Sequence, residues 1–294
     1  MMQKLLSILQ RCREGATPER INFYLAGYLL TQVLLFLFLE ATPGVLDRQE
    51  RVRGRDFLNF YVNGQIVAEG QEHRLYDRDY FLAVQTRQAD ISPTRPRYYP
   101  LYPPMTALLF SSLGKLPYGT AIVLWWTAGA LLFLVAGAWA LREIQPAQGW
   151  RSTTWLALAA FTPVFSTFLN GQLVPVLLVV LIGGLELHRR GRGFWAGCLL
   201  SLLALKPQFA VGVFLWLLFR RDKRALGGWF VGLAAQAGLV AGTLGPEVLL
   251  AYVQNARIYV ELGQIDLITP DHQHSLAGIL TNLAGRPYSN WCKL

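Results

Sequence analysis

NFYLAGYLLTQVLLFLFL, residues 22–39, decides the fold class of this chain because it is predominantly apolar and carries no charge. A helix of this length is long enough to cross the ~30 Å hydrocarbon core of a bilayer. Glu40 and Pro43 follow the stretch, where a removable signal peptide would have small residues at a cleavage site. We therefore expect residues 22–39 to remain in the protein as a membrane helix.

The whole chain has the composition of a polytopic membrane protein. Only 15% of its 294 residues are charged, whereas about a quarter are charged in soluble domains. Six further apolar segments are predicted as helices, because open strands cannot satisfy their backbone in lipid. These segments are residues 118–141, 153–169, 173–187, 194–205, 209–219 and 225–244. The sequence thus predicts an all-α fold with one transmembrane domain over residues 1–294.

The distribution of basic residues predicts the orientation of these helices. A net charge of +9 would suit a nucleic-acid-binding protein, but the Lys and Arg residues form short clusters between apolar segments. Clusters at residues 142–151, 188–192 and 220–224 mark short cytoplasmic loops of a cell-membrane protein. With a cytoplasmic N-terminus, residues 41–117 form a long extracytoplasmic loop with juxtamembrane helices. Its last part, residues 101–116, is predicted as an interfacial helix.

A lysine interrupts the apolar sequence at Lys206-Pro207-Gln208. Proline removes a backbone donor and disfavours helix in the residue before it. One kinked helix over residues 194–219 would place the two flanking basic clusters on opposite faces. We therefore favour two short helices that meet near the outer leaflet, where Lys206 is a candidate functional residue because it lies in an apolar stretch.

Asp56 is the candidate catalytic group of the extracytoplasmic loop. It precedes Phe57, Phe60 and Tyr61, a pattern that suits a helix lying against the membrane with the acid at its start. Two other interpretations stay open: Asp56 caps that helix, since aspartate is favoured at the N-cap, or it pairs with a neighbouring arginine, Arg53 or Arg55.

Asn170-Gly171-Gln172 is predicted to bind a substrate at the same face. The two amides suit hydrogen bonds to sugar hydroxyls, although Asn-Gly also predicts an ordinary turn. The ammonium group of Lys206 is a point charge that suits the binding of a phosphate. The alternative interpretation is that Lys206 only extends from a helix end to the membrane interface.

Further polar and aromatic residues fall on the outer side of this topology. The candidate substrate-binding residues among them are Asp77, Arg97 (or Arg95), Tyr99, Tyr102, Gln208 and His274. Most tyrosines and tryptophans here, including Trp125 and Trp126, are also explained by an aromatic belt. His272 and His274 have no third well-spaced ligand, and the three cysteines are unpaired in spacing, so neither a metal site, a disulfide framework nor a cofactor is predicted.

Taken in order, these features resemble glycosyltransferase family 87, membrane enzymes of the C-type glycosyltransferase fold. The matching features cover residues 20–285. They are Asp56-Phe57 with Phe60-Tyr61, Gly70 with Leu75-Tyr76-Asp77, Tyr99-Pro100, Tyr102-Pro103-Pro104, Asn170-Gly171-Gln172, and Ala196-Gly197 before Lys206-Pro207.

The resemblance implies an integral-membrane hexosyltransferase that inverts the anomeric centre. Its partners would be a polyprenyl-phosphate sugar donor, most often of mannose, a lipid or glycan acceptor, and the surrounding membrane lipids. Asp56 would be the catalytic base, and relatives continue beyond the equivalent of Leu294, so the chain is expected to be truncated at its C-terminus. A lipid or solute transporter, or a non-catalytic scaffold, is the alternative function.

Overall fold

The computed structural model describes residues 15–89, 99–147 and 149–261. Its elements are helical, which confirms the predicted all-α class. The α-helices are α1 (Pro18–Glu40), α2 (Phe57–Ala68), α3 (Arg78–Ala89), α4 (Pro104–Phe110), α5 (Tyr118–Ile144), α6 (Arg151–Ala160), α7 (Thr162–Leu169), α8 (Val174–Arg189), α9 (Gly193–Leu200), α10 (Pro207–Phe219), α11 (Lys223–Leu244) and α12 (Pro246–Glu261). Short 3₁₀ turns occupy Glu72–Arg74, Leu113–Lys115 and Ser201–Leu205.

Several of these helices are suited to span a membrane. In the described part of the chain, α1, α5 and α11 are each long and apolar enough to do so, and α6 and α7 together make a fourth candidate. The long apolar helices of a polytopic membrane protein are therefore present.

The segment predicted as one helix over residues 153–169 is divided, and that prediction was wrong. Helices α6 and α7 are bent by 43° relative to each other, with Phe161 between them in an extended conformation. Pro163 lies in the first turn of α7. Because Pro163 donates no backbone hydrogen bond and its ring crowds the preceding turn, the helix cannot continue smoothly through this point.

The chain reverses at Lys206, as the favoured interpretation of Lys206-Pro207-Gln208 requires. The 3₁₀ turn after α9 ends at Leu205, and α10 begins at Pro207. Gly193 at the start of α9 lies against the carboxylate of Asp222, the residue that precedes α11. The start of α9 and the end of α10 are therefore neighbours, which confirms two short helices in place of one kinked helix.

The basic loops meet at one end of the bundle. Arg189 forms an ion pair with Glu143 at the end of α5, and His188 Nδ1 lies 3.2 Å from Asp222 Oδ2. The start of α1 is at this end too, since Asn22 Nδ2 donates to Ser152 Oγ at 3.0 Å. The Gln172 end of α8 is separated from this loop end by the 16-residue length of the helix, about 24 Å.

The segment after α1 folds into the opposite end of the bundle. Phe57 and Phe60 of α2 are fully buried, and an added Cβ on Gly64 would lie 2.2 Å from the Phe110 carbonyl oxygen of α4. Helix α2 is therefore packed inside the protein, and the expectation that it lies against the membrane was wrong. The predicted interfacial helix is also shorter than expected, because only α4 and the turn Leu113–Lys115 form.

Helix α12, which the hydropathy pattern did not predict, covers part of this end. Asn255 Nδ2 donates to the Pro100 carbonyl oxygen at 2.7 Å. The rings of Tyr76 and Tyr252 lie 5.6 Å apart. These contacts connect the last described helix to the segments that surround Asp56.

Candidate active site

Asp56 lies at the N-terminus of α2 without capping it. Its side chain makes no cap hydrogen bond, and among the described residues it forms no ion pair with Arg53 or Arg55. The carboxylate atom Oδ2 instead accepts a hydrogen bond from Nε2 of Gln172, which is 116 positions away in the sequence. The Asp56 carboxylate thus contacts a residue distant in the sequence and does not cap α2.

Gln172 also contacts Lys206. Lys206 Nζ donates to Gln172 Oε1 at 2.8 Å, so the two ends of one amide contact an acid and an amine. The three residues come from the loop before α2, the turn between α7 and α8, and the break before α10. Because an amide offers a donor at one end and an acceptor at the other, Gln172 fits between the two charged groups in only one orientation.

A tight turn places Gln172 beside Asp56. The Gly171 and Gln172 N–H groups donate to the Phe168 and Thr167 carbonyl oxygens at the C-terminus of α7, the pattern of a Schellman motif. Gly171 has φ +59°, and an added Cβ would lie 2.6 Å from Phe57 Cβ. Both the left-handed backbone and the close approach require glycine. The prediction that Asn170-Gly171 forms a turn is therefore confirmed, and this turn also brings Gln172 into contact with Asp56.

Two tryptophans fix this turn from α5. Trp125 Nε1 donates to the Gly171 carbonyl oxygen at 3.0 Å, and Trp126 Nε1 donates to the Phe168 carbonyl oxygen at 2.8 Å. Trp125 is buried. The aromatic-belt interpretation is wrong for Trp125, because its ring packs inside the protein and its N–H supports the turn.

Asn170 contacts protein groups at both ends of its amide. Its nitrogen donates to the Ser166 carbonyl oxygen at 2.8 Å, and its oxygen accepts from Arg55 Nη1 at 3.2 Å. Arg55 has φ +27°, an unusual backbone conformation for a residue with a Cβ. Asn170 thereby ties the turn to the loop that carries Asp56, and its role toward a sugar stays a prediction.

Burial changes the acidity of the groups around Asp56. Desolvation raises the pKa of Asp56 above its ordinary value, although the charge of Lys206, the Gln172 hydrogen bond and the charge of Arg55 oppose this effect. The pKa of Tyr102 is also raised, by burial first and then by the negative charge of Asp56. The negative charge of Asp56 therefore contributes to the electrostatic environment of the Tyr102 hydroxyl.

The remaining predicted site residues lie in different surroundings. Asp77 accepts from the Tyr80 N–H at 3.0 Å and pairs with Arg74 at 3.3 Å, so it caps α3. Tyr99 is buried, and its hydroxyl accepts from Arg78 Nη2 at 3.1 Å. Gln208 is exposed at the start of α10. Arg97 and His274 lie outside the described residues. The described part of the chain holds no cluster of three His, Cys, Asp or Glu residues suited to a metal ion.

The sequence of this chain is similar to those of known glycosyltransferases. The profile of glycosyltransferase family 87 matches residues 101–288, which include Gln172 and Lys206 and exclude Asp56. The polyprenol-phosphate-mannose-dependent alpha-(1-2)-phosphatidylinositol pentamannoside mannosyltransferase of Mycolicibacterium smegmatis is 30% identical over 219 residues. The match covers 72% of this chain and 48% of that relative, so the chain spans about half the relative's length. No solved structure matches the chain significantly.

Proposed function

The chain belongs to glycosyltransferase family 87, and on this premise we propose that it transfers a hexose from a polyprenyl-phosphate carrier to a lipid or glycan acceptor. Mannose is the sugar and a phosphatidylinositol mannoside the acceptor that the M. smegmatis relative suggests. The single observation that carries the proposal is the contact chain from Asp56 through Gln172 to Lys206.

Asp56 acts as the general base in this proposal. Its carboxylate takes the proton of an acceptor hydroxyl while that oxygen attacks the anomeric carbon from the face opposite the phosphate. The bond between the anomeric carbon and the phosphate oxygen breaks, and its electron pair leaves with the phosphate. One displacement inverts the anomeric centre. A raised pKa suits this role, because a base accepts a proton more effectively as its pKa approaches the working pH.

Lys206 stabilises the departing phosphate. A glycosidase that inverts its substrate needs a second carboxylic acid to protonate the leaving oxygen, whereas a phosphate leaves as a stable anion and needs a cation. The ammonium group of Lys206 supplies that charge. Gln172 holds Asp56 and Lys206 at a fixed spacing, so that the acceptor hydroxyl and the phosphate approach opposite sides of one sugar.

The site lies at the end of the bundle opposite the basic loops. Short basic loops lie in the cytoplasm, which supports an extracytoplasmic active site and a cytoplasmic N-terminus. Carriers commonly bind their substrate near the membrane midplane, between repeated halves of the protein. The position of Asp56 and Lys206 at the helix ends therefore favours the transferase over a transporter.

The donor can be tested directly with the purified chain in lipid nanodiscs. We expect labelled mannose to move from polyprenyl-phosphate mannose to a phosphatidylinositol mannoside, and not from a nucleotide sugar supplied without the polyprenyl donor. The measurement is the label in the lipid acceptor after separation. Transfer from the nucleotide sugar alone would reject the proposed donor class.

The pH dependence of transfer should report the contact between Gln172 and Asp56. Asp56 must be ionised to act as a base, so transfer rises as the pH rises through its pKa. The Gln172 hydrogen bond lowers that pKa; Gln172→Leu therefore raises it and moves the acid limb of kcat/KM to higher pH. The control is Gln49→Leu at an exposed loop position. An acid limb at the same pH in all three proteins would contradict the contact.

A further inference from the structure

A cleft separate from the Asp56 site lies between the C-terminus of α1 and the N-terminus of α5. It has a volume of ≈ 520 Å³, within the range of small-ligand sites. Residues that line it include Thr42, Gly44, Arg53, Gln88, Gly119 and Thr120. Arg53 is charged, and none of the described lining residues is acidic. The wall of the cleft therefore carries a positive charge that no carboxylate of the wall neutralises.

Arg53 supplies that positive charge and is incompletely paired. The residue is 5% exposed, and its Nη1 donates to the Gly44 carbonyl oxygen at 2.8 Å. Its guanidinium lies over the ring of Trp126, 5.4 Å from the centroid. Its Nε is buried and has no hydrogen-bond partner. Among the described residues no carboxylate lies within ion-pair distance of Arg53, although buried Glu40 interacts with it over a longer range.

The N-terminus of α5 contributes a second attraction for an anion. Helix α5 is 27 residues long and begins directly after Pro117. Gly119 and Thr120, in its first turn, line the cleft, and an added Cβ on Gly119 would lie 3.7 Å from Arg53 Nη1. First-turn N–H groups and the helix dipole attract anions, and phosphate groups in particular.

We propose that this cleft binds a phosphate group. A guanidinium and a helix N-terminus that face one space are a combination suited to phosphate oxygens. The cleft lies where α1 ends and α5 begins, and both helices are suited to span the membrane. The ends of spanning helices lie at the depth of the lipid headgroups, so the cleft lies at that depth too. A phospholipid phosphodiester or a soluble phosphate would both fit this chemistry. The site uses Arg53, and it does not depend on the reaction assigned to Asp56.

The test introduces a negative charge into the cleft without removing Arg53. Thr120 is exposed and lies in the first turn of α5, where a glutamate side chain is compatible with the helix. Thr120 and Arg53 both line the cleft, so Thr120→Glu adds a carboxylate to its wall, and Thr120→Gln is the matched neutral control. Binding is measured by native mass spectrometry of the purified full chain in detergent. The probes are dioleoylphosphatidylglycerol, diolein, which lacks the phosphate, and inorganic phosphate.

The wild-type protein is expected to bind phosphatidylglycerol in preference to diolein. Thr120→Glu should weaken phosphatidylglycerol binding by about tenfold or more, since a charge-assisted hydrogen bond contributes at least this factor, and Thr120→Gln should retain it. Competition by inorganic phosphate would show that the phosphate group alone suffices, and its absence would assign the site to a lipid. Equal binding of phosphatidylglycerol by the wild type and Thr120→Glu, or no preference over diolein, would overturn the proposal.

Discussion

Asp56→Asn is expected to lower the rate of sugar transfer by ~10² to 10⁴, the usual contribution of a general base. The amide cannot take the proton of the acceptor hydroxyl. Its oxygen can still accept the hydrogen bond that Gln172 donates to Asp56, so the surrounding fold should persist. The measurement is single-turnover transfer from polyprenyl-phosphate mannose by purified protein in nanodiscs.

The control for this variant is Asp79→Asn. Asp79 is an exposed carboxylate in the first turn of α3, on the same loop as Asp56. Its neutralisation should leave transfer unchanged. Transfer by Asp56→Asn at the wild-type rate, with the variant extracted and folded normally, would remove Asp56 from the mechanism.

Lys206→Met is expected to lower transfer by ~10² to 10³, comparable with the loss of one group that stabilises charge in a transition state. Methionine keeps an unbranched apolar side chain and loses the ammonium group that would meet the departing phosphate. The defect should appear mainly in the chemical step, because the charge on the bridging oxygen grows as its bond to the sugar breaks. Single-turnover rates at saturating donor measure that step.

Lys115→Met provides the matched control for Lys206→Met. Lys115 is exposed in the 3₁₀ turn before α5, so its charge is not part of the proposed site. We expect its rate to equal that of the wild type. Equal losses in the two variants would instead assign the effect of Lys206 to the general charge of this face.

Hydropathy predicted most of the membrane helices, because a helix that crosses the hydrocarbon core needs a long uncharged sequence. It failed where a local backbone restriction or a packing contact decided the result. Pro163 divides the predicted helix over residues 153–169. Helix α12 has a mixed polar and apolar sequence and packs at the site end through Asn255, a contact that no periodic pattern reveals.

The sequence identified Asp56, Gln172 and Lys206 as candidates from residue type and topology. It could not show that one amide lies between the other two, because 116 positions separate Asp56 from Gln172 and 34 separate Gln172 from Lys206. It also could not show how the surroundings of Asp77 and Asp56 differ. Asp77 caps a helix and has an arginine partner, while half-buried Asp56 makes neither contact and accepts a hydrogen bond from Gln172.

Arg53 and Trp125 show a different limitation of sequence interpretation. Arginines are numerous in residues 41–100, and nothing in their spacing indicates that Arg53 is buried. Tryptophans near helix ends usually lie in the membrane interface, so the inward N–H of Trp125 was not predictable. Both assignments depend on the packing of α5 against the loop after α1.

The central claim is that Asp56 and Lys206 belong to one active site, in which Lys206 contacts the phosphate and Asp56 the acceptor hydroxyl, with Gln172 between them. The affinity for polyprenyl phosphate tests this claim most directly, because both charges act on the bound phosphate. Both variants already described are titrated with this reaction product, with no turnover required. Removing the negative charge in Asp56→Asn should tighten binding, and removing the positive charge in Lys206→Met should weaken it. Affinities that shift in the same direction, or that do not change in either variant, would contradict a shared site.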